Sequence, residues 1–216
     1  MGVLKQSKRI AYLGGSFDPP HIGHVALAQA VINQGLADEV WLAPALQPPH
    51  KERRINDFDH RFRMVELAAA GLPGLKACRI EQELQLRPSY TVQVLAALQE
   101  RFPDYQFALL IGDDMLSCFH LWKQAAVLVE KYRILTYPRC GIAGVTAAEL
   151  SQHWPPESVE KLLAGRLKNL PFFEISSTNV RERLAKNENV DNIICRAVFE
   201  YIKNIGLYQC EEGENI

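Results

Sequence analysis

Eleven residues near the start of the chain concentrate groups that handle anions: Gly14-Gly15-Ser16-Phe17-Asp18-Pro19-Pro20-His21-Ile22-Gly23-His24. An apolar burst, Ile10–Leu13, precedes them, and a stretch of helical periodicity, His24–Gln34, follows. Paired glycines let the backbone turn sharply and let a ligand approach main-chain N–H groups. A helix beginning near Gly23 aims its N-terminal N–H groups and positive dipole end into the same space. That combination is an anion site whose usual occupant is phosphate. His21 and His24, one turn apart, can donate hydrogen bonds to phosphoryl oxygens and stabilise charge that develops in a transition state. Plainer readings compete: a turn capped by His21, or a metal pair. A metal pair wants a third ligand, and His50, His60 and His120 are isolated. Neither G-x-G-x-x-G nor G-x-x-x-x-G-K-[ST] occurs, so neither a dinucleotide fingerprint nor a P-loop is supported.

A second signal is Ile175-Ser176-Ser177-Thr178-Asn179-Val180-Arg181, which opens a further helix. The three hydroxyls of Ser176, Ser177 and Thr178 can cap exposed N–H groups and bond phosphate oxygens. Arg181, one turn on, can bring forked donors to the same anion. Three loops lie between the two signals. Pro44-Ala45-Leu46-Gln47-Pro48-Pro49-His50-Lys51 is proline-set and offers one cation, Lys51. Arg87-Pro88-Ser89-Tyr90-Thr91 precedes a helix that Ser89 or Thr91 is expected to cap. Gly112-Asp113-Asp114 follows a strongly apolar strand, with Trp122 eight residues beyond Asp114. Taken singly, Lys51 reads as a solvated charge, Tyr90 and Trp122 as packing aromatics, and Asp114 as a helix cap.

The elements that must hold these loops are legible from periodicity. Apolar bursts recur at Ile10–Leu13, Val40–Ala43, Ala77–Ile80, Phe107–Ile111, Ile134–Tyr137 and Phe172–Ile175, and helical patterns span His24–Gln34, Phe58–Ala70 and Thr91–Arg101. Strands alternating with helices predict an α/β fold with a doubly wound, mostly parallel sheet. In such a sheet the ligand sites lie beyond the carboxyl ends of the strands, where the loops described above fall. The 216 residues suit one domain, 1–216, with a helical part at 176–210 and a disordered acidic tail at 211–216. With 24 basic against 25 acidic residues, nucleic-acid binding through bulk charge is excluded. The longest apolar runs are five residues, against the ~20 of a membrane span, and no signal segment is recognisable. Five scattered cysteines without C-x-x-C read as free thiols of a cytoplasmic protein.

Taken together, the first stretch resembles the H-x-G-H signature of the nucleotidyltransferase superfamily, here His-Ile-Gly-His. Its fuller form resembles that of the bacterial nicotinate-nucleotide adenylyltransferases. The later stretches are similar to that family's I-S-S-T-x-x-R, P-x-x-x-P-P-H-K, P-S-Y-T and I-G-x-D loops, and the likeness runs from residue 10 to Tyr208. The resemblance implies a Rossmann-like nucleotidyltransferase fold and adenylyl transfer from ATP to nicotinate mononucleotide, with Mg²⁺ carried on the ATP phosphates and no dedicated metal site. It implies that His21, His24 and Arg181 are catalytic. ATP would be held by Gly14, Gly15, Ser16, Phe17, His21, His24, Gly112, Asp114, Ser176, Ser177, Thr178 and Arg181. The mononucleotide would be held by Lys51, Tyr90, Thr91 and Trp122. A phosphopantetheine adenylyltransferase, a catalytically silent nucleotide sensor and a metal-dependent hydrolase are the rival readings. Two stretches depart from the pattern: Ile194-Cys195-Arg196, where the family has a proline, and Arg139 to Lys168, which matches nothing recognisable. The choice between nicotinate and nicotinamide mononucleotides and the oligomeric state stay open.

Overall fold

The computed structural model describes residues 7–47, 55–85, 87–138, 144–168, 170 and 174–209. In chain order the elements are β1 (Lys8–Gly15), α1 (Ile22–Asn33), β2 (Glu39–Pro44), α2 (Phe58–Ala69), β3 (Leu75–Ala77), α3 (Ile80–Leu84), α4 (Thr91–Arg101), β4 (Tyr105–Gly112) and α5 (Asp113–Leu116). A 3-10 turn at Phe119–Leu121 follows, then α6 (Ala125–Lys131), β5 (Arg133–Tyr137), α7 (Ala147–Leu150), α8 (Pro156–Ala164), α9 (Ser177–Ala185) and α10 (Arg196–Ile205). The five strands form one parallel sheet in the order β3-β2-β1-β4-β5. Strand order reverses between β1 and β4, so the crevice of an open α/β sheet falls beyond Gly15 and Gly112.

Alternation along the strands sorts side chains to two cores. Phe107, Leu109 and Ile111 of β4 face one side with Ile10, Tyr12 and Trp41, covered by α4, α6 and α8. Ala108 and Leu110 face the other with Ala11, Leu13, Val40 and Leu42, covered by α1 and α2. Burial on both faces is why these strands read as continuous apolar runs. A third core joins Met64 and Ala68 of α2 to Val180, Val190, Ile194, Val198 and Ile202, docking the C-terminal helices on the outside of α2. Where the family carries proline, Cys195 caps α10 at φ −71°, an angle that proline would also impose.

One expectation shifts, and two others fall partly or wholly outside the described residues. The third strand, expected at Ala77–Ile80, is Leu75–Ala77, and Ile80 is instead buried as the first residue of α3. An apolar pair on a short run does not say whether a strand or a helix buries it. Of the sixth strand, expected at Phe172–Ile175, residues 172 and 173 lie outside the described residues, and Glu174–Ser176 are irregular. Beside β5 runs another segment: Thr136 donates its N–H to Gly165 (3.0 Å) and accepts from Leu167 (2.8 Å). The tail 211–216 also lies outside the described residues.

Candidate active site

β1 delivers Gly14 and Gly15 to the mouth of the crevice while still paired with Ala43 and Pro44 of β2. Their lack of side chains serves packing: a Cβ on Gly14 would lie 3.2 Å from the Tyr12 ring, and one on Gly15 3.2 Å from the Phe17 ring. The sharp turn expected of the glycines is made by Phe17, at φ +46°. That left-handed conformation is costly for a large side chain and persists only where surroundings hold it. Burial of the Phe17 ring, edge-on to His24 at 4.9 Å, does the holding.

His21 is the residue before α1 and His24 its third. The His21 N–H donates to His24 Nδ1 (3.2 Å), the His24 N–H donates to the His21 carbonyl (3.0 Å), and the ring centroids lie 3.7 Å apart. The two imidazoles therefore stand together at the helix start, with His24 fixed in orientation by the backbone. The expectation of an open set of N–H groups there needs one correction. The first of them, on Ile22, donates to the Ile193 carbonyl at 3.0 Å, so the C-terminal segment occupies it.

The second signal is brought onto the first. Ser177 Oγ donates to the Pro19 carbonyl (2.9 Å), and Arg181 Nη1 donates to the Asp18 carbonyl (2.7 Å). Arg181 Nη2 donates to Thr178 Oγ1 (2.8 Å), and Ser176 Oγ caps α9 by accepting from the Asn179 N–H (3.1 Å). The three hydroxyls thus divide their work. Ser176 and Thr178 accept and keep a proton to donate, whereas Ser177 has spent its proton on Pro19.

Beneath the loop sits a polar cluster that motif reading did not single out. Asp18 is fully buried; its Oδ1 accepts from Tyr208 Oη (2.6 Å) and Asn56 Nδ2 (2.8 Å). Arg61, 1% exposed, donates from Nε to the Asn56 carbonyl (2.8 Å) and from Nη1 to the Ser16 carbonyl (2.9 Å). Burial pulls the Arg61 guanidinium below its usual range, and the charge of Asp18 opposes that. Burial pushes the Tyr208 phenol far up, with Asp18 adding to the effect, so it stays a donor. Arg61 did carry a sequence signal: it interrupts the apolar stripe Phe58, Phe62, Val65 on the buried face of α2.

Across the crevice, Gly112 ends β4 and Asp114 is the second residue of α5. Its neighbour Asp113 is buried and faces Arg166 at 3.5 Å, and Arg166 also donates to the Val145 carbonyl. Tyr90 caps α4 through its backbone and Thr91 is the first helical residue, both without a side-chain cap. Ser89, expected as a cap, instead donates to buried Glu81 (2.6 Å). Trp122 follows the 3-10 turn and packs edge-on to Phe119 at 5.1 Å, and Lys123 Nζ lies 6.0 Å from the Tyr90 ring centre, so the two aromatics' loops are neighbours. Behind Phe119 stacks Trp154 (5.9 Å), from the stretch that matched no pattern. That stretch backs the turn carrying Trp122. Lys51 lies outside the described residues. Among the described residues no three His, Cys, Asp or Glu side chains cluster as metal ligands, and no helix is long and apolar enough to cross a membrane.

A parallel sheet with a His pair and a Ser/Thr/Arg helix start joined at its crevice defines a nucleotidyltransferase. The profile of the cytidylyltransferase-like family matches residues 12–183. A nicotinate-nucleotide adenylyltransferase of Bacillus subtilis is 34% identical over 203 residues, covering 94% of this chain and 99% of its own. A solved Plasmodium falciparum nicotinic acid mononucleotide adenylyltransferase complexed with NaAD shares the fold, with TM-score 0.68 at 20% identity over 93% of this chain and 97% of its own. A second structure of that protein, complexed with APC, gives TM-score 0.66 at 20% identity, covering 93% and 97%. The chain belongs to the nicotinate-nucleotide adenylyltransferases. It is an enzyme, and adenylyl transfer in NAD synthesis is its function.

Proposed function

We propose that the chain joins ATP and nicotinate mononucleotide by positioning and charge neutralisation alone. The phosphate of the mononucleotide attacks the α-phosphorus of ATP, a P–O bond forms, and the bond to the β-phosphate oxygen breaks. The products are nicotinate adenine dinucleotide and pyrophosphate. The nucleophile is already an anion, so the site needs no base, and its work is alignment and stabilisation of shifting charge.

The observation that carries this reading is the joining of the His21–His24 pair to the Arg181 helix start by Ser177 and Arg181 bonds to Pro19 and Asp18. His21 and His24 hold α- and bridging-phosphate oxygens. Arg181, Thr178 and Ser176 hold the departing pyrophosphate, and Ser177 acts through its main chain. Gly14, Gly15, Ser16 and Phe17 give backbone contacts, and Gly112 and Asp114 hold the adenosine. Lys51, Tyr90, Thr91 and Trp122 hold the mononucleotide. Mg²⁺ enters as part of the substrate on the ATP phosphates; Asp18 Oδ1 is engaged by Tyr208 and Asn56, which fits a site that adds no carboxylate cage of its own. In this reading 1–216 is one catalytic domain, 176–210 completes the ATP side, and the enzyme works in the cytoplasm.

Pyrophosphate release, measured with ATP plus nicotinate mononucleotide and with ATP plus nicotinamide mononucleotide, tests the reading. Release that requires both substrates and is faster with the nicotinate form is expected. No release with either mononucleotide overturns it.

A further inference from the structure

Glu81 lies in α3 and belongs to none of the loops that sequence motifs single out. It is 6% exposed, and its carboxylate gathers donors from three separate segments. Oε1 accepts from Tyr12 Oη of β1 (2.8 Å), and Oε2 accepts from the Leu46 N–H, in the loop after β2 (3.0 Å), and from Ser89 Oγ (2.6 Å). All three donors are neutral. Burying a carboxylate is costly unless it is well hydrogen-bonded, and its two acceptor-only oxygens suit it to take three donors at once. Leu46 heads the loop that runs towards Lys51, and Ser89 immediately precedes Tyr90 and Thr91. The Tyr12 ring at the other end packs under Gly14. Burial, with the Glu81 charge adding to it, pushes the Tyr12 phenol well above its ordinary range, so it remains a proton donor to the carboxylate.

We propose that Glu81 is a positioning residue for the mononucleotide: its carboxylate ties the loop after β2 to the Ser89–Thr91 loop and so fixes the distance across which the second substrate is held. The proposal rests on the functional reading above. It assigns Glu81 no contact with substrate. Its effect runs through Leu46 and Ser89, and it falls on recognition of one substrate rather than on the chemical step.

Steady-state kinetics of pyrophosphate release, with each substrate varied in turn, test this on Glu81→Ala, Glu81→Gln and Ser89→Ala. Glu81→Ala leaves the buried Tyr12 donor and the half-buried Leu46 and Ser89 donors without an acceptor and should raise the KM for the mononucleotide by about 10-fold or more, with kcat and the KM for ATP within about 2-fold. Glu81→Gln keeps an oxygen for Leu46 and Ser89 while Tyr12 Oη turns to accept from the amide, so it should restore the mononucleotide KM to within about 3-fold of the parent. If Glu81→Ala does not fold, judged by thermal melting, Ser89→Ala carries the test: it cuts one bond of three and should raise the same KM by about 3-fold. A rise of equal size in both KM values, or an unchanged mononucleotide KM in folded Ser89→Ala, overturns the proposal. Failure of the parent enzyme to release pyrophosphate would overturn the functional reading itself; an active parent with no split between the KM values would sink Glu81 alone.

Discussion

Two buried carboxylates tie together the two sets of loops proposed for phosphate and for mononucleotide, and they do so on different terms. Asp18, on the phosphate side, is held by Asn56 and Tyr208, 38 and 190 residues away, while its carbonyl is held by Arg181 at a separation of 163. The buried guanidinium of Arg61 acts on it as a counter-charge. Glu81, on the other side, takes donors only 8, 35 and 69 residues away, all of them neutral. The bonds that gather at Glu81 therefore close within the first β-α units, although Trp122, proposed for the same half, comes from the turn after β4. The phosphate half is complete only when α9, α10 and the residues after them have docked on α2. Long-range closure is entropically dearer than short-range closure, so the phosphate half is the part whose order depends on the whole chain.

The largest expected effect is at the reacting phosphates themselves. His24→Ala should cut kcat by about 10²–10³-fold with much smaller changes in both KM values, since a lost transition-state donor costs about that much; a variant with normal kcat would remove His24 from its assigned role. Next comes the cluster beneath the loop. Asp18→Ala should leave Arg61 a buried charge without its neighbour and destabilise the fold by about 3–5 kcal/mol, read by denaturant unfolding; a loss under about 1 kcal/mol would show that Arg61 does not depend on it. Tyr208→Phe removes one hydrogen bond to a charged group and should cost about 1.5–3 kcal/mol. It should raise the KM for ATP and leave that for the mononucleotide unchanged, and an equal rise in both would erase the contrast between the halves.

The smallest effect is a control at the opposite end of the sheet. Burial pushes the Glu39 carboxyl up, but hydrogen bonds from Lys76, Lys8 and Trp41 outweigh it and hold the group below its ordinary range. A depressed folded value stabilises the protein above the unfolded value, and that contribution is lost as pH falls through the folded one. Glu39→Gln should therefore lower Tm modestly at neutral pH, and the gap to the parent should close as pH drops below the ordinary carboxylate range. Catalysis at neutral pH should not change, because Glu39 faces away from the crevice. A Tm gap that persists into acid would show that packing rather than ionisation sets it.

Much of this was readable from residue order alone, and the reasons for the exceptions are specific. The helix Thr91–Arg101 was expected at the bounds it has, because Val92, Leu95 and Leu98 mark one buried face and Pro103 follows. The motif segments that carry His21, His24, Ser177, Thr178 and Arg181 are brought together through Ser177 and Arg181, as the family resemblance implied. What the pattern could not show was how hydroxyls would be shared. Ser89 looked like a cap since nothing local reveals a buried acid eight residues earlier, and in Ile80-Glu81-Gln82-Glu83-Leu84 no neighbour marks Glu81 as the buried acid rather than Glu83. Asn56 and Tyr208 were invisible for the same reason: their partner is distant in the chain. Residues 144–168 were unreadable because their role is to back Phe119 and close an edge, tasks that any apolar surface of the right shape can do.

The segment beside β5 has a bearing on self-association. An exposed strand edge is a template onto which a second chain can add, and sheets defend against this by shortening, charging or covering their edges. One edge here is β3, only three residues long. The other is covered by Gly165–Leu167, which takes up both main-chain groups of Thr136. That cover lies so close that a Cβ on Gly165 would sit 1.7 Å from the Ile134 carbonyl oxygen. Any larger residue there must lift the segment away and bare the strand. Cover of the β5 edge thus depends on the absence of a side chain at residue 165, beside an edge strand rather than in the crevice.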